Sequence, residues 1–212
     1  MVRAAHDNGR FSHDLSRSHA VTLDLQAIFD DAHTIQAFDG QAVSLETLTA
    51  LVERMRWAPT AMNCSPLRVV FVQSAEAKAK LQPCLSPGNV DKTMAAPVTA
   101  IAAWDTAFFE HMGTLAPHMP GAQERFAGNP AMAEKTGALS ATLQVGYFTL
   151  AARGLGLGVG PMAGFDTAAV DAAFFPDGRY RSLLLLNLGY AAPDAARPRA
   201  PRLTAEQIMS VV

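Results

Sequence analysis

The sequence predicts an α+β fold rather than a doubly wound sheet. Three observations carry that expectation: few segments read as strands, the helical segments are long, and the two kinds do not alternate in the strand–helix–strand order of a doubly wound sheet. No internal repeat appears.

Residues 1–20 mix Arg, His, Asp, Asn and Ser without an apolar core, so no secretory signal is expected. Residues 1–21 read as a mobile extension to a single domain over 22–212. A first helix is expected over 23–31. The second starts at Ser44, an N-cap residue type, carries Leu45, Leu48, Leu51, Val52 and Met55 at three- and four-residue spacing, and is stopped by Pro59. In the turn WAPTAMNCSP over 57–66, Thr60, Asn63 and Ser65 supply hydroxyl and amide groups and Pro66 fixes the exit. Such a turn either simply joins helix to strand or holds a flat, polar-edged ligand. The apolar run Leu67–Val72 follows as a buried strand, then a helix over Ala75–Leu81 and a strand over 98–104.

Residues 138–152 form the most apolar segment and carry no charge. At about 1.5 Å per residue they span roughly 22 Å, short of a bilayer core of about 30 Å, so they read as a buried helix. Gln144 within it is either a core residue bonded to neighbouring backbone or a contact to cofactor or partner subunit. Asp166 is placed to cap a helix over Thr167–Phe174, and 182–188 reads as a strand. Near the end, Thr204 with Gln207 three residues on has the form of a capping box.

With 212 residues, half of them hydrophobic, one domain with a sizeable core is available. A net charge of −2 offers no broad field for nucleic acid or anionic membrane, and Arg197, Arg199 and Arg202 form only a local basic cluster. Two cysteines, Cys64 and Cys84, are too few and too far apart for a disulfide scaffold or zinc ribbon, and read as reduced thiols. His111 and His118 lie near Glu110 and Glu124 but show no HExxH spacing, so no metal site is expected. Pro117, Pro120, Gly121, Gly128 and Pro130 make 113–132 read as a long loop or lid. Phe108, Phe109 and Phe126 around it read as core residues first and as a cover for a bound ring second. The run GLGLGVG is not a dinucleotide fingerprint, since its glycines lack GxGxxG spacing and follow a helix rather than a strand. Gly154 reads as the residue just beyond that helix, and the later glycines as places of close backbone approach.

Five stretches belong together: AHTIQAFD at 32–39, WAPTAMNCSP at 57–66, GNVDKTMAAP at 88–97, GLGLGVGPMAGFD at 154–166 and RPRAP at 197–201. In this order and spacing they resemble the FMN-dependent nitroreductase family over about 23–203, and within it the subgroup containing the malonic semialdehyde reductase of bacterial pyrimidine catabolism. The resemblance implies a nitroreductase-like fold with a small central sheet flanked by helices, an intertwined homodimer with flavin sites at the interface, FMN as cofactor, NADH or NADPH as electron donor, a cytoplasmic location and a small-molecule acceptor, either malonic semialdehyde or a nitroaromatic or quinone; a flavin-binding or flavin-storing protein without turnover is the alternative of another class. It implies FMN contacts from His33, Thr34 and Gln36, from Asn89 and Lys92 near the ring's polar edge, from Pro161, Met162, Ala163 and Gly164 beside the ring, and from Arg197 and Arg199 at the phosphate. Thr60, Ala61 and Asn63 are implied to reach the flavin held mainly by the other subunit. Ala32 and Gln36 depart from the pattern, because many family members carry cations at both positions.

Overall fold

The computed structural model describes residues 25–193, 195 and 197–212. The expected extension over 1–21, and residues 23 and 24 of the expected first helix, lie outside the described residues. The α-helices are α1 (Leu45–Met55), α2 (Ala75–Leu81), α3 (Val90–Ala95), α4 (Met112–Leu115), α5 (Ala122–Ala127), α6 (Pro130–Gly154), α7 (Thr167–Phe174) and α8 (Ala205–Ile208), and the strands are β1 (Leu67–Val72), β2 (Val98–Asp105), β3 (Gly158–Met162) and β4 (Tyr180–Gly189). They form the α+β architecture the sequence predicts.

The sheet has four strands in the order β1-β2-β4-β3, and every neighbour pair is antiparallel. Central β2 is buried along its whole length, which is why VTAIAAWD reads as a continuous apolar run and not as an alternation. Successive residues still point to opposite faces. Val98, Ala100, Ala102 and Trp104 join a core with α1 and α6, whereas Ile101 and Ala103 join one with Leu81, Phe165 and Val170 on the other face. Gly137 of α6 permits the close crossing: a Cβ there would lie 2.6 Å from Trp104 Cε3.

Caps fall where the sequence places them. Ser44 Oγ accepts from the Thr47 N–H at 3.2 Å, Asp166 Oδ1 from Ala169 N–H at 3.0 Å, and Gln207 Oε1 from Thr204 N–H at 2.9 Å. Other expectations need correction. Helix α1 ends at Met55, before Pro59, because the chain enters a turn at Arg56. The long apolar helix runs over Pro130–Gly154, with Asn129 Oδ1 capping Met132 N–H at 3.0 Å and Pro130 tolerated in the first turn, where its missing N–H costs nothing. Residues 113–132 are not one long loop: they hold most of α4, all of α5 and the start of α6, and Phe108 and Phe126 are buried. The first helix is described as a π-helical turn over Gln26–Asp30.

Gly154 is the last residue of α6, not the one beyond it. The left-handed residue is Gly156, with φ 77°. Its N–H donates to Arg153 O at 2.9 Å and Leu157 N–H to Ala152 O at 2.9 Å, the paired bonds of a Schellman ending. The chain then enters β3, an edge strand for which the glycine-rich sequence shows no strand signal; Pro161 is tolerated at an edge because no neighbour needs its N–H.

Candidate functional site

The segment around residues 32–39 is pinned outside the sheet from both sides. Thr34 bridges Val159 of β3 in parallel, Ile35 N–H donates to Val159 O at 3.1 Å, and Asp39 N–H donates to Tyr190 O at 3.0 Å. The glycines of β3 make this approach possible. A Cβ on Gly160 would lie 2.6 Å from Ile35 O, and one on Gly158 would lie 2.8 Å from Ile35 Cγ1. The close approach expected of these glycines is therefore made to the chain's own backbone, which aims His33, Thr34 and Gln36 outward.

Two cavities open along this segment. One, of about 490 Å³, is lined by His33, Thr34, Gln36, Arg153, Arg197 and Arg199, among others. The next, of about 550 Å³, is lined by Gln36, Phe38, Asp91, Lys92 and Arg197 among others, so the two share Gln36 and Arg197. Cationic side chains dominate the first, and Lys92 of α3 stands in the second. A third cavity, of about 480 Å³ between Trp104, Phe126, Glu134 and Arg181, contains none of the sequence-predicted site residues.

Arg199 is already engaged. Its Nη2 donates to Asp30 O at 2.5 Å, Ala32 O at 2.9 Å and Phe29 O at 3.2 Å, holding the C-terminal tail against the end of the first helical turn, where a cation is favoured. Arg153, which sequence reasoning missed, donates through Nη1 to Ile28 O at 3.1 Å, and its buried Nε has no hydrogen-bond partner. Burial first, and then the nearby charge of Arg199, push its pKa down. A signal was present: Arg153 is the sole charged residue between Lys135 and Asp166.

Asn89 Nδ2 donates to Gly164 O at 2.7 Å, and Ser86 N–H donates to the same carbonyl at 3.1 Å. This ties GNVDK to PMAG. The amide of Asn89 thus locks one predicted site segment onto another, and Gly164 has no room for a Cβ beside it. Behind them a polar chain runs through the core: Thr99 Oγ1 donates to Asn187 Oδ1 at 2.8 Å, Asn187 Nδ2 to Thr93 Oγ1 at 3.2 Å, and Thr93 Oγ1 to Met162 Sδ at 3.6 Å. It fixes α3, and with it Lys92, against β3. Pro161 and Ala163 remain exposed on either side of buried Met162.

WAPTAMNCSP forms a strained loop. Met62, Asn63 and Ser65 have φ of 53°, 55° and 39°, a region that side chains other than Gly seldom adopt and that concentrates at functional sites. The loop is held by α6 and its own hydroxyls. Ala61 N–H donates to Ser140 Oγ at 3.3 Å, Leu67 N–H to Gln144 Oε1 at 3.0 Å, Gln144 Nε2 to Ser65 Oγ at 3.3 Å and Ser65 N–H to Thr60 Oγ1 at 3.1 Å. Gln144 is thereby a core residue supporting this backbone. Asn63 spends its Nδ2 on Leu115 O at 2.8 Å. The cavities that gather the basic residues include neither Thr60, Ala61 nor Asn63. Cys64 beside them is buried, which pushes its thiol pKa up.

Three comparisons bear on this arrangement. A protein of Leptothrix cholodnii, named as a candidate NADH dehydrogenase/NAD(P)H nitroreductase, is 51% identical over 196 residues, 92% of this chain and 100% of that protein. A candidate nitroreductase of Bacillus subtilis superposes with a TM-score of 0.80 at 17% identity, covering 89% of this chain and 98% of the other. Another, from Exiguobacterium sibiricum and solved in complex with FMN, gives a TM-score of 0.78 at 22% identity, covering 90% of this chain and 98% of the other. The model of the nitroreductase family matches residues 31–190, which takes in the pinned segment, the strained loop, α3 and β3. This chain belongs to the nitroreductase family.

Proposed function

We propose that the protein is an FMN-dependent NAD(P)H oxidoreductase working as a homodimer in the cytoplasm. The observation that carries this reading is the pair of adjoining cavities sharing Gln36 and Arg197. One is cationic enough for a phosphate dianion, and it holds a buried Arg153 Nε without a partner, so the residues fit FMN. The name of the Leptothrix relative and the FMN bound by the Exiguobacterium protein support the same reading. FMN, when bound, supplies hydride transfer through N5 between donor and acceptor. His33, Thr34, Gln36, Arg197 and Arg199 hold its phosphate end. Lys92 lies toward the pyrimidine edge, where reduction adds negative charge, and Asn89 shapes that edge through its bond to Gly164. Pro161, Met162, Ala163 and Gly164 flank the ring, and Thr60, Ala61 and Asn63 complete the site of the partner. NAD(P)H and acceptor then take turns at one open face.

For the acceptor, the sequence motifs favour malonic semialdehyde, reduced to 3-hydroxypropionate; the second reading is a nitroaromatic or quinone, and the word nitroreductase in the name of the 51% identical relative supports the nitro compound. Purified protein should release FMN on denaturation, identified by chromatography; FAD, or no flavin after FMN is supplied, overturns the proposal. Steady-state NAD(P)H oxidation with each acceptor should give parallel double-reciprocal lines, and the acceptor with turnover decides between the two.

A further inference from the structure

We propose that Arg153, at the C-terminal turn of α6, is a phosphate-binding residue of the cofactor site, supplying from the long helix a cation that Ala32 and Gln36 do not provide. The inference rests on the flavin reading above and deepens it.

Arg153 lines the same cavity as His33, Thr34, Arg197 and Arg199. A guanidinium carries five N–H donors in a rigid fork. Here Nη1 is committed to Ile28 O at 3.1 Å, while Nε is buried and donates to nothing. An arginine that served only to cap the first helical turn would not need this placement, because Arg199 already donates to three carbonyls of residues 29–32. Two like charges packed beside one polar cavity also oppose each other; burial, and then Arg199, push the Arg153 pKa below its ordinary value, which expresses that cost. A phosphate dianion removes both defects at once. It accepts the orphaned donor after a small turn of the fork, and it neutralises the pair. The Schellman ending at Gly156 sets where the side chain leaves the helix, so the cation is presented from a rigid element and not from the tail.

The test is the affinity of apoprotein for FMN against riboflavin, which has the same ring and no phosphate, by flavin fluorescence titration of wild type, Arg153→Met and Arg153→Lys. Arg153→Met should weaken FMN at least about tenfold, the scale of one hydrogen bond to a charged group, and leave riboflavin within about twofold. Arg153→Lys should recover part of the loss by charge alone. Equal weakening of FMN and riboflavin would mark a structural role and overturn the proposal, as would unchanged FMN affinity in Arg153→Met. Wild-type protein that binds FMN no better than riboflavin would overturn the phosphate reading of the cavity itself.

Discussion

Lys78 shows how one buried side chain sets the site from behind. It lies on α2, is 8% exposed, and its Nζ donates to Thr93 O at 3.0 Å, Met94 O at 3.3 Å and Ala96 O. These are carbonyls left without helical partners at the end of α3, so the ammonium caps the helix that carries Lys92. Burial pushes its pKa down, yet its three N–H donors meet three acceptors, and the charged form is the one that fits. Lys78→Met keeps the stem and strands the carbonyls. It should cost about 2–3 kcal/mol of stability, read from the urea midpoint, since buried acceptors lose their donors. An unchanged midpoint would show that water replaces the ammonium there. The sequence gives no hint of this role, because an AEAKAKL helix looks amphipathic and solvated, and only the tertiary position of α3 turns one of its lysines inward.

At the scale of elements, legibility followed the source of the stabilising interaction. Leu67–Val72, Ala75–Leu81 and Thr167–Phe174 were readable to the residue, because local pattern, cap and burial agree in each. Edge strand β3 was not, since GVGPM has the composition of a turn and is extended only because β4 lies on one side and Ile35 on the other. The same holds for α4 and α5, short helices set between Pro- and Gly-rich connections and anchored by buried Met112 and Phe126. Among site residues, the motifs at 32–39, 88–97 and 197–201 supply cavity walls while those at 57–66 and 154–166 line neither cavity, and Arg153 was missed because no motif spans the end of α6 and residues 28–33. The glycines of β3 give the prediction belonging to this scale. Gly160→Ala forces its Cβ against Ile35 O, a backbone atom that cannot swing away, so residues 33–36 must move. Overpacking of this kind costs about 1–3 kcal/mol, and FMN affinity should fall along with the melting temperature. Stability and affinity both equal to wild type would mean that the pinned segment does not position the cavity.

For the whole molecule, the strained loop over 57–66 contributes no lining residue to the cationic cavities of its own chain. One face of α6 packs on the sheet through Ala141, Val145 and Phe148. The opposite face presents Leu139, Leu143 and Tyr147 at four-residue spacing with 69%, 47% and 40% exposure, and Gly146 beside them leaves open space where a Cβ would be. Such an apolar stripe at a helix surface is suited to a second copy; Trp57, at the start of the loop, and Leu45 are also exposed, each at 74%. The two-fold arrangement proposed above then places Thr60, Ala61 and Asn63 of one chain over the flavin of the other. Leu143→Asp tests this without touching either half of the site, because it sets an unpaired carboxylate in the contact, an error that costs several kcal/mol when buried and little when exposed. The variant should elute as a folded monomer by light scattering, with an unchanged far-ultraviolet spectrum, and should lose FMN on dilution while wild type retains it. A Leu143→Asp protein that remains a dimer would place the interface elsewhere, and a monomer with full FMN occupancy would mean that the strained loop takes no part in holding the cofactor.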